Sequence, residues 1–233
     1  MLEELRQEVA LANRKLGASG LAPLTWGNAS GFSKEAGLFV IKPSGVPYDE
    51  LTEASMVVCD LDGNRVEGDL NPSSDTPTHA VLYRNFPDIG GVVHTHSCKA
   101  TVLCQMGIGL PCLGTTHADY FGGDVPAARA LTPDEVDQHY EHSTGIAIVE
   151  AFQNLDSLKI GAVLLRHHAP FTWGKDVSAA LERAQVLEHC AEMALCQLAA
   201  GEGLKPIPEH ISRRHWERKH GTDATYGQNK EKS

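Results

Sequence analysis

The chain has 233 residues, of which 42% are hydrophobic and 21% charged, as in an ordinary globular protein. Its 20 Lys and Arg against 30 Asp and Glu leave a formal charge of −10, which argues against a general basic surface for nucleic acid. The 12 histidines beside only 6% aromatic residues raise the question of whether some imidazoles are ligands.

The apolar pattern predicts a single mixed α/β domain over residues 1–233, with a C-terminal helix and a short polar tail. Apolar residues at three- and four-residue spacing predict a first helix from Leu2 to Leu16, with Gly17 as its stop. Further helices are predicted at 76–85, 100–106, 132–142 and 177–200, and the basic stretch 210–219 is typical of a solvated helix face. Short β-branched runs predict strands at 38–41, 56–59, 91–93, 146–149 and 162–165.

Several features favour a cytoplasmic protein. Residues 1–6 carry acids where a secretory signal carries bases, and the chain lacks the ~18 consecutive apolar residues of a membrane span. Its six cysteines form no C-x-x-C pair, so we expect reduced thiols rather than a zinc knuckle. We expect neither a membrane nor a nucleic acid as a partner.

The sharpest local signal is the run Gly91-Val92-Val93-His94-Thr95-His96-Ser97. On a strand, residues two apart share one face, so His94 and His96 can direct two imidazoles at the same ion. The alternative is a chance pair in a chain rich in histidine. A metal site therefore needs further ligands.

Candidates for these ligands lie in two other segments. A catalytic divalent ion generally takes three protein ligands and keeps one position open. After the strand predicted at 162–165, His167 and His168 are adjacent, and neighbours on a strand face opposite ways, so only one of them should join a site. Asp75 stands at a predicted helix start, where capping is the more common role of a carboxylate.

Three short segments have the chemistry of an anion site. Trp26–Ser30 and Lys42–Gly45 combine glycine with small hydrogen-bond donors, and the second adds a cation. Ser73 and Ser74 precede a helix start, where a phosphate can bind. Each segment is equally well suited to an ordinary turn.

Two residues could transfer protons. Asp119 supplies a carboxylate within a polar cluster at 115–120. Tyr226 supplies a phenol near the end of the chain, although such a tyrosine is more often a packing or interface residue.

Taken in order, these segments resemble the L-ribulose-5-phosphate 4-epimerases of the class II aldolase superfamily. The resemblance spans nearly the whole chain. The matching runs are Leu24–Asn28, Val40–Val46, Pro72–His79, Gly91–Ser97, Gly114–Phe121 and Tyr226–Gln228.

The resemblance implies a three-layer α/β/α fold around a mixed, mostly antiparallel sheet. It also implies one zinc-type divalent ion per subunit and a cyclic homotetramer with active sites at subunit interfaces. The implied metal ligands are Asp75, His94, His96 and His168. The implied contacts to substrate and phosphate are Gly27, Asn28, Lys42, Ser44, Gly45, Ser73 and Ser74. Asp119 and Tyr226 would be the proton-transfer pair, contributed by the neighbouring subunit.

Two details refine the resemblance. The related sugar-phosphate aldolases usually carry Glu after the paired serines, so Asp75 favours an epimerase. The third histidine lies in a run that departs from the family pattern, and alignment on Pro170, Phe171 and Trp173 selects His168 over His167.

The resemblance implies interconversion of L-ribulose 5-phosphate and D-xylulose 5-phosphate. Carbon 4 of a ketose phosphate has no acidic proton, so its inversion requires retro-aldol cleavage of the C3–C4 bond and re-addition. The alternatives are a class II sugar-phosphate aldolase and a non-catalytic scaffold with the same fold. The phosphorylated ketose is common to arabinose catabolism and ascorbate breakdown, so both pathways remain open.

Overall fold

The computed structural model describes residues 2–222 and residue 224. Within them one sheet contains the strands β1 (Asn28–Ser33), β2 (Leu38–Ile41), β3 (Val57–Asp60), β4 (Arg65–Glu67), β5 (Gly91–His94), β6 (Ala127–Ala128), β7 (Ala162–Leu165) and β8 (Pro170–Gly174). The strand order is β4-β3-β2-β1-β5-β8-β7-β6. The pairing of β6 with β7 is parallel and the other pairings are antiparallel.

Helices cover both faces of this sheet. They are α1 (Glu3–Ala18), α2 (Thr76–Asn85), α3 (Cys98–Met106), α4 (Thr115–Ala118), α5 (Pro133–Ala151), α6 (Ser157–Ile160), α7 (Val177–Ala199) and α8 (Glu209–His220). Two 3-10 turns, Tyr48–Glu50 and Glu53–Ser55, lie between β2 and β3. No helix in the described part of the chain is long and apolar enough to cross a membrane.

The alternation of side chains along the strands produces the layers. In β2, Phe39 and Ile41 enter a core shared with α2 and α5, whereas Val40 enters a core shared with α1 and α7. In β5, Val92 and Val93 divide in the same way. The sheet is thus buried on both faces, and the predicted three-layer α/β/α fold with a mostly antiparallel sheet is confirmed.

Most predicted elements are present, with small shifts at their ends. The predictions for β2, β7 and α2 match the structure residue for residue. The predicted stop at Gly17 is wrong, because α1 continues to Ala18. Gly17 is needed for a different reason: a Cβ there would collide with the side chain of Tyr48.

The strand predicted at 146–149 is also wrong, because these residues belong to α5. A four-residue apolar run does not distinguish a strand from a buried helix segment. Ala147 and Ile148 fill the core beside α2, so tertiary packing decides the outcome. The predicted start of this helix is confirmed by reciprocal capping bonds between Thr132 and Glu135.

Two central strands carry too little apolar periodicity to be predicted. β1 has the sequence NASGFS and pairs with both β2 and β5. Asn13 of α1 exchanges two hydrogen bonds with the backbone of Ala29, and Gly31 lets α1 lie close against the strand. β8 begins at Pro170 and pairs with β5 and β7. These two strands bring the functional segments together.

Candidate active site

Three histidines converge where β5 ends. The ligand nitrogens of His94, His96 and His168 all lie within 4.8 Å of one another. His94 is the last residue of β5 and is 1% exposed, whereas His96 lies two residues beyond the strand. The predicted pair therefore converges, although only its first member is on the strand.

The donor set fits a divalent metal ion. His94 Nδ1 lies 3.0 Å from the carbonyl oxygen of Pro170 and donates to it, which leaves the lone pair of His94 Nε2 directed into the group. His94 Nε2 and His96 Nε2 lie 3.2 Å apart. Two nitrogens bound to one tetrahedral zinc ion at ~2.0–2.1 Å would be about 3.4 Å apart, so the group is close to ligating geometry.

Burial keeps these imidazoles in the form that binds metal. It lowers the pKa of His94 to about 3 and that of His168 to about 4, and it also lowers the pKa of His96. Neutral histidines at pH 7 have no proton to lose before they ligate an ion.

The structure separates the two adjacent histidines of the loop between β7 and β8. His167 has a left-handed backbone, with φ of 64°, and its side chain is exposed. His168 turns inward, and its ring centroid lies 5.0 Å from that of His94. Both residues lie beyond the end of β7, so a turn rather than strand alternation selects His168.

Asp75 stands at the start of α2, but its carboxylate makes no capping bond. The sequence-based interpretation of Asp75 as a helix cap is therefore wrong. Asp75 Oδ2 accepts a hydrogen bond of 2.7 Å from Asn28 Nδ2 and lies 4.0 Å from His94 Nε2. The amide of Asn28 thus directs this carboxylate toward the histidines.

The predicted anion segments adjoin one another. Ser73 N donates to Lys42 O at 3.0 Å and Ser44 N donates to Asn71 O at 2.9 Å, which joins the two loops through their backbones. The Lys42 ammonium lies 5.0 Å from the centroid of the Tyr48 ring. Burial lowers the pKa of Lys42 to about 8, so this amine is still mainly cationic at pH 7.

Asn28 connects the two halves of the site. Its Nδ2 donates to both Ser73 Oγ and Asp75 Oδ2. Its Oδ1 is buried and has no hydrogen-bond partner among the described residues. A buried acceptor of this kind is well suited to a hydroxyl group of a ligand.

One cavity of about 610 Å³ contains the histidines and the anion segments together. The predicted site residues that line it are Gly27, Asn28, Lys42, Ser44, Gly45, Ser73, Ser74, Asp75, His94, His96 and His168. Thr25, Trp26 and Pro43, from the same segments, also contribute. The structure thus brings together the predicted metal and substrate residues.

Sequence reasoning missed two residues of this cavity, Tyr140 and Glu141. They follow His139, where the backbone of α5 leaves the helical conformation with φ of −150° and ψ of 56°. Tyr140 and Glu141 are thus the first residues of the helical segment that follows the break. No periodicity or motif in the sequence marks this position.

Asp119 lies in a different cavity from the histidines. Its carboxylate accepts hydrogen bonds from Arg218 Nη2 at 2.6 Å, Arg218 Nε at 3.0 Å and His215 Nδ1 at 3.0 Å. Burial alone would raise the pKa of Asp119, but the bonds from Arg218 and His215 hold it below its usual value. This carboxylate is therefore ionised at pH 7, and the side chains that hold it come from α8.

Comparison with known proteins identifies the class of this chain. Residues 7–195 match the Class II Aldolase and Adducin N-terminal domain family. The chain belongs to this family, as the sequence motifs predicted. The family implies a divalent metal, which agrees with the histidine group.

Individual relatives are similar to this chain over almost its whole length. Proteins named L-ribulose-5-phosphate 4-epimerase UlaF from Salmonella paratyphi A (strain ATCC 9150 / SARB42) and Salmonella typhi are each 47% identical over 227 residues. Each alignment covers 97% of this chain and 100% of the relative. The resemblance drawn from the sequence motifs is confirmed.

Solved structures share the fold. An L-fuculose 1-phosphate aldolase superposes with a TM-score of 0.77 and 28% identity, covering 92% of this chain and 95% of its own. The L-fuculose-1-phosphate aldolase from Thermus thermophilus has a TM-score of 0.68 and 28% identity, covering 87% of this chain and 100% of its own.

Tyr226, the second residue predicted to transfer protons, lies outside the described residues.

Proposed function

We propose that this protein is an L-ribulose-5-phosphate 4-epimerase. The observation that carries the proposal is the single cavity in which three convergent histidines adjoin an anion cradle. The choice of reaction rests on relatives of that name, which are 47% identical and aligned over their full length. Asp75 after the paired serines, the pattern expected of an epimerase, supports the same choice.

In this proposal His94, His96 and His168, with Asp75, hold one zinc ion per subunit. When bound, the ion supplies a Lewis acid that stabilises negative charge on the ketose part of the substrate. The backbone of Pro170 orients His94, and the amide of Asn28 orients Asp75. These contacts align the ligands before substrate binds.

The anion segments of the cavity hold the substrate. Lys42, Ser44, Gly45, Ser73 and Ser74 bind its phosphate, where a cation, hydroxyls and the N-terminus of α2 favour an anion. Asn28 Oδ1 accepts a hydrogen bond from a substrate hydroxyl. Gly27, which has no side chain, allows the substrate to approach the backbone closely. The local positive charge matters because the protein has a net charge of −10.

Inversion at carbon 4 requires proton transfer on both faces of the substrate. Asp119 of a neighbouring copy takes the proton from the C4 hydroxyl. The C3–C4 bond then breaks, and its electron pair passes to the ketose fragment. The aldehyde fragment turns over its carbonyl face, the bond re-forms, and Tyr226 returns a proton to the C4 oxygen. The hydrogen bonds from Arg218 and His215 lower the pKa of Asp119 and keep its carboxylate ionised, which is the form that can accept a proton.

We further propose a cyclic homotetramer in which Asp119 and Tyr226 reach the neighbouring subunit's metal site. The separation of Asp119 from the histidine cavity supports this arrangement.

We also propose a cytoplasmic location. The six cysteines all lie in the described part of the chain and are free thiols, which supports this proposal.

The test is an assay of purified protein with L-ribulose 5-phosphate, with and without a chelator. The proposal predicts D-xylulose 5-phosphate as the product, activity lost on chelation and activity regained with Zn2+. Release of free glycolaldehyde phosphate as the main product would instead identify an aldolase, the activity named for the structural neighbours. Metal-loaded protein that yields neither product would refute the proposal.

A further inference from the structure

Tyr140 contacts the third histidine of the metal group. Its hydroxyl oxygen lies 3.1 Å from His168 Nδ1, and the two ring centroids are 5.8 Å apart. We infer that Tyr140 is a positioning residue: its oxygen accepts the Nδ1–H of His168 and thereby directs the Nε2 lone pair toward His94 and His96. The inference deepens the proposed function and rests on its metal site.

The direction of this hydrogen bond follows from imidazole chemistry. A neutral imidazole that ligates through one nitrogen carries its proton on the other, which needs an acceptor. His94 provides an internal comparison, because its Nδ1 faces the carbonyl oxygen of Pro170, which can only accept. The Tyr140 hydroxyl performs for His168 the task that this carbonyl performs for His94.

His168 needs such an anchor more than His94 does. His94 is the final residue of a central strand, whereas His168 follows the left-handed turn at His167. Its backbone N–H bonds to Leu165 O at 3.1 Å, within the same turn. A side chain on a turn has more freedom than one in a sheet, so the hydroxyl determines its orientation.

The position of Tyr140 is itself well defined. It is the first residue after the break in α5 at His139. Next to it, Glu141 O accepts a hydrogen bond of 2.6 Å from Thr78 Oγ1 of α2. One turn further on, Gly145 lets α5 approach Val81 so closely that a Cβ would lie 2.6 Å from Val81 Cβ. These contacts fix the phenol relative to the histidine group.

The test compares Tyr140→Phe with the wild type in zinc binding. Metal-free protein is titrated with Zn2+ in competition with a chromogenic chelator. Loss of a residue that orients a ligand weakens metal binding roughly 10–100-fold, and we expect this range for Tyr140→Phe. Tyr120→Phe is the matched control, because its hydroxyl bonds to Glu182 and lines the other cavity. We expect its zinc affinity to equal that of the wild type.

A second readout separates positioning from substrate contact. At saturating Zn2+, Tyr140→Phe should recover a kcat close to that of the wild type. A kcat that stays low in fully loaded protein, with unchanged zinc affinity, would overturn the inference. In zinc-loaded wild type, 15N spectra should show His168 protonated at Nδ1, and protonation at Nε2 would contradict the inference without any variant.

The outcomes distinguish this inference from the proposed function. Wild-type protein that binds zinc without epimerase activity overturns the function, while the affinity difference still tests Tyr140. Wild-type protein that binds no zinc overturns both. Equal affinities in wild type and Tyr140→Phe overturn the positioning role alone.

Discussion

At the scale of single residues, the candidate site contains side chains whose pKa is altered by burial. Lys42 is 2% exposed, and its amine contacts the carbonyl oxygen of Pro43 and the ring of Tyr48. Neither partner carries a negative charge, so no opposite charge compensates the loss of solvation of the buried amine. This environment accounts for the lowered pKa of Lys42.

The pKa of Lys42 leads to a pH prediction. Burial lowers this pKa to about 8, so the amine is cationic below pH 8 and neutral above it. A neutral amine no longer attracts the substrate phosphate, so kcat/KM should fall as the pH rises through about 8. The measurement is a pH profile of kcat/KM. Lys42→Arg should keep activity and lose this alkaline limb, because arginine remains charged.

Lys42→Met tests the effect of removing the positive charge of Lys42 at every pH. A hydrogen bond to a charged group contributes about 1.5–3 kcal/mol, so kcat/KM at pH 7 should fall roughly 10–150-fold. The profile of this variant should be flat through pH 8. If the fall in kcat/KM near pH 8 persists in Lys42→Met, the ionisation belongs to another group.

Two variants should distinguish loss of metal binding from loss of proton transfer. His96→Ala removes one of the three convergent histidines proposed as ligands and should lose both metal and turnover. Asp119→Asn removes the proposed base, which lies in another cavity, and should lose turnover with its metal content unchanged. Metal analysis and steady-state rates on the same preparations check this expectation. Equal metal loss in both variants would refute the assigned roles.

At the scale of elements, α2 and α5 pack closely against each other beside the site. Gly145 faces Val81 without a Cβ, and Thr78 holds the carbonyl of Glu141 just beyond the break at His139. Asp75 immediately precedes α2. The packing of these two helices therefore places a carboxylate and a phenol on the same cavity.

Gly145→Ala should destabilise the protein. The new methyl would lie 2.6 Å from Val81 Cβ in a packed core, and overpacking costs about 1–3 kcal/mol. The better helix propensity of alanine offsets about 1 kcal/mol of this cost. We expect a net loss of stability and a lower melting temperature.

Gly114→Ala is the control for this prediction. Its backbone is extended, with φ of −166°, and a Cβ there meets nothing within 4 Å. Thermal unfolding of both variants provides the comparison. An unchanged melting temperature for Gly145→Ala would show that the two helices separate at little cost.

At the scale of the whole molecule, the histidine cavity and the Asp119 cavity are separate, so the proposed site would require two copies of the chain. His96→Ala and Asp119→Asn should each be inactive alone and active when mixed within one oligomer. In a cyclic assembly of randomly mixed subunits, roughly one site in four would combine both intact halves. We therefore expect about a quarter of wild-type activity from hybrids formed by co-expression.

Mixing after separate purification, without subunit exchange, is the control for this experiment. It should give no more activity than the two variants alone. Hybrids that are equally inactive would place Asp119 and the metal ligands of one working site within the same chain.

Removal of the metal should lower the stability of the folded protein. An ion that binds only the native state stabilises it by RT ln(1 + [L]/Kd), about 2.7 kcal/mol at a hundredfold excess over Kd. The melting temperature should fall in EDTA and recover with Zn2+. His96→Ala should be insensitive to both additions. Equal sensitivity of this variant would indicate that the stabilising ion binds elsewhere.

Much of the fold and of the candidate site could be predicted from the sequence, because the informative signals are local. Short apolar runs bounded by turn residues predict β2 and β7, and the helix predicted at 76–85 matches α2 to the residue. The chemistry of imidazole, hydroxyl and ammonium groups identified the candidate ligands within their short runs. Residue type and spacing are sufficient for conclusions of this kind.

Only the tertiary structure decided how distant segments meet. Asp75 turns from a capping position toward His94 because Asn28, 47 residues earlier, donates to it. Tyr140 reaches His168 because α5 breaks where it packs against α2. These outcomes depend on burial and hydrogen bonding between residues far apart in the chain, which local spacing does not encode. The sequence determined which groups could form the site, and long-range packing determined which of them do.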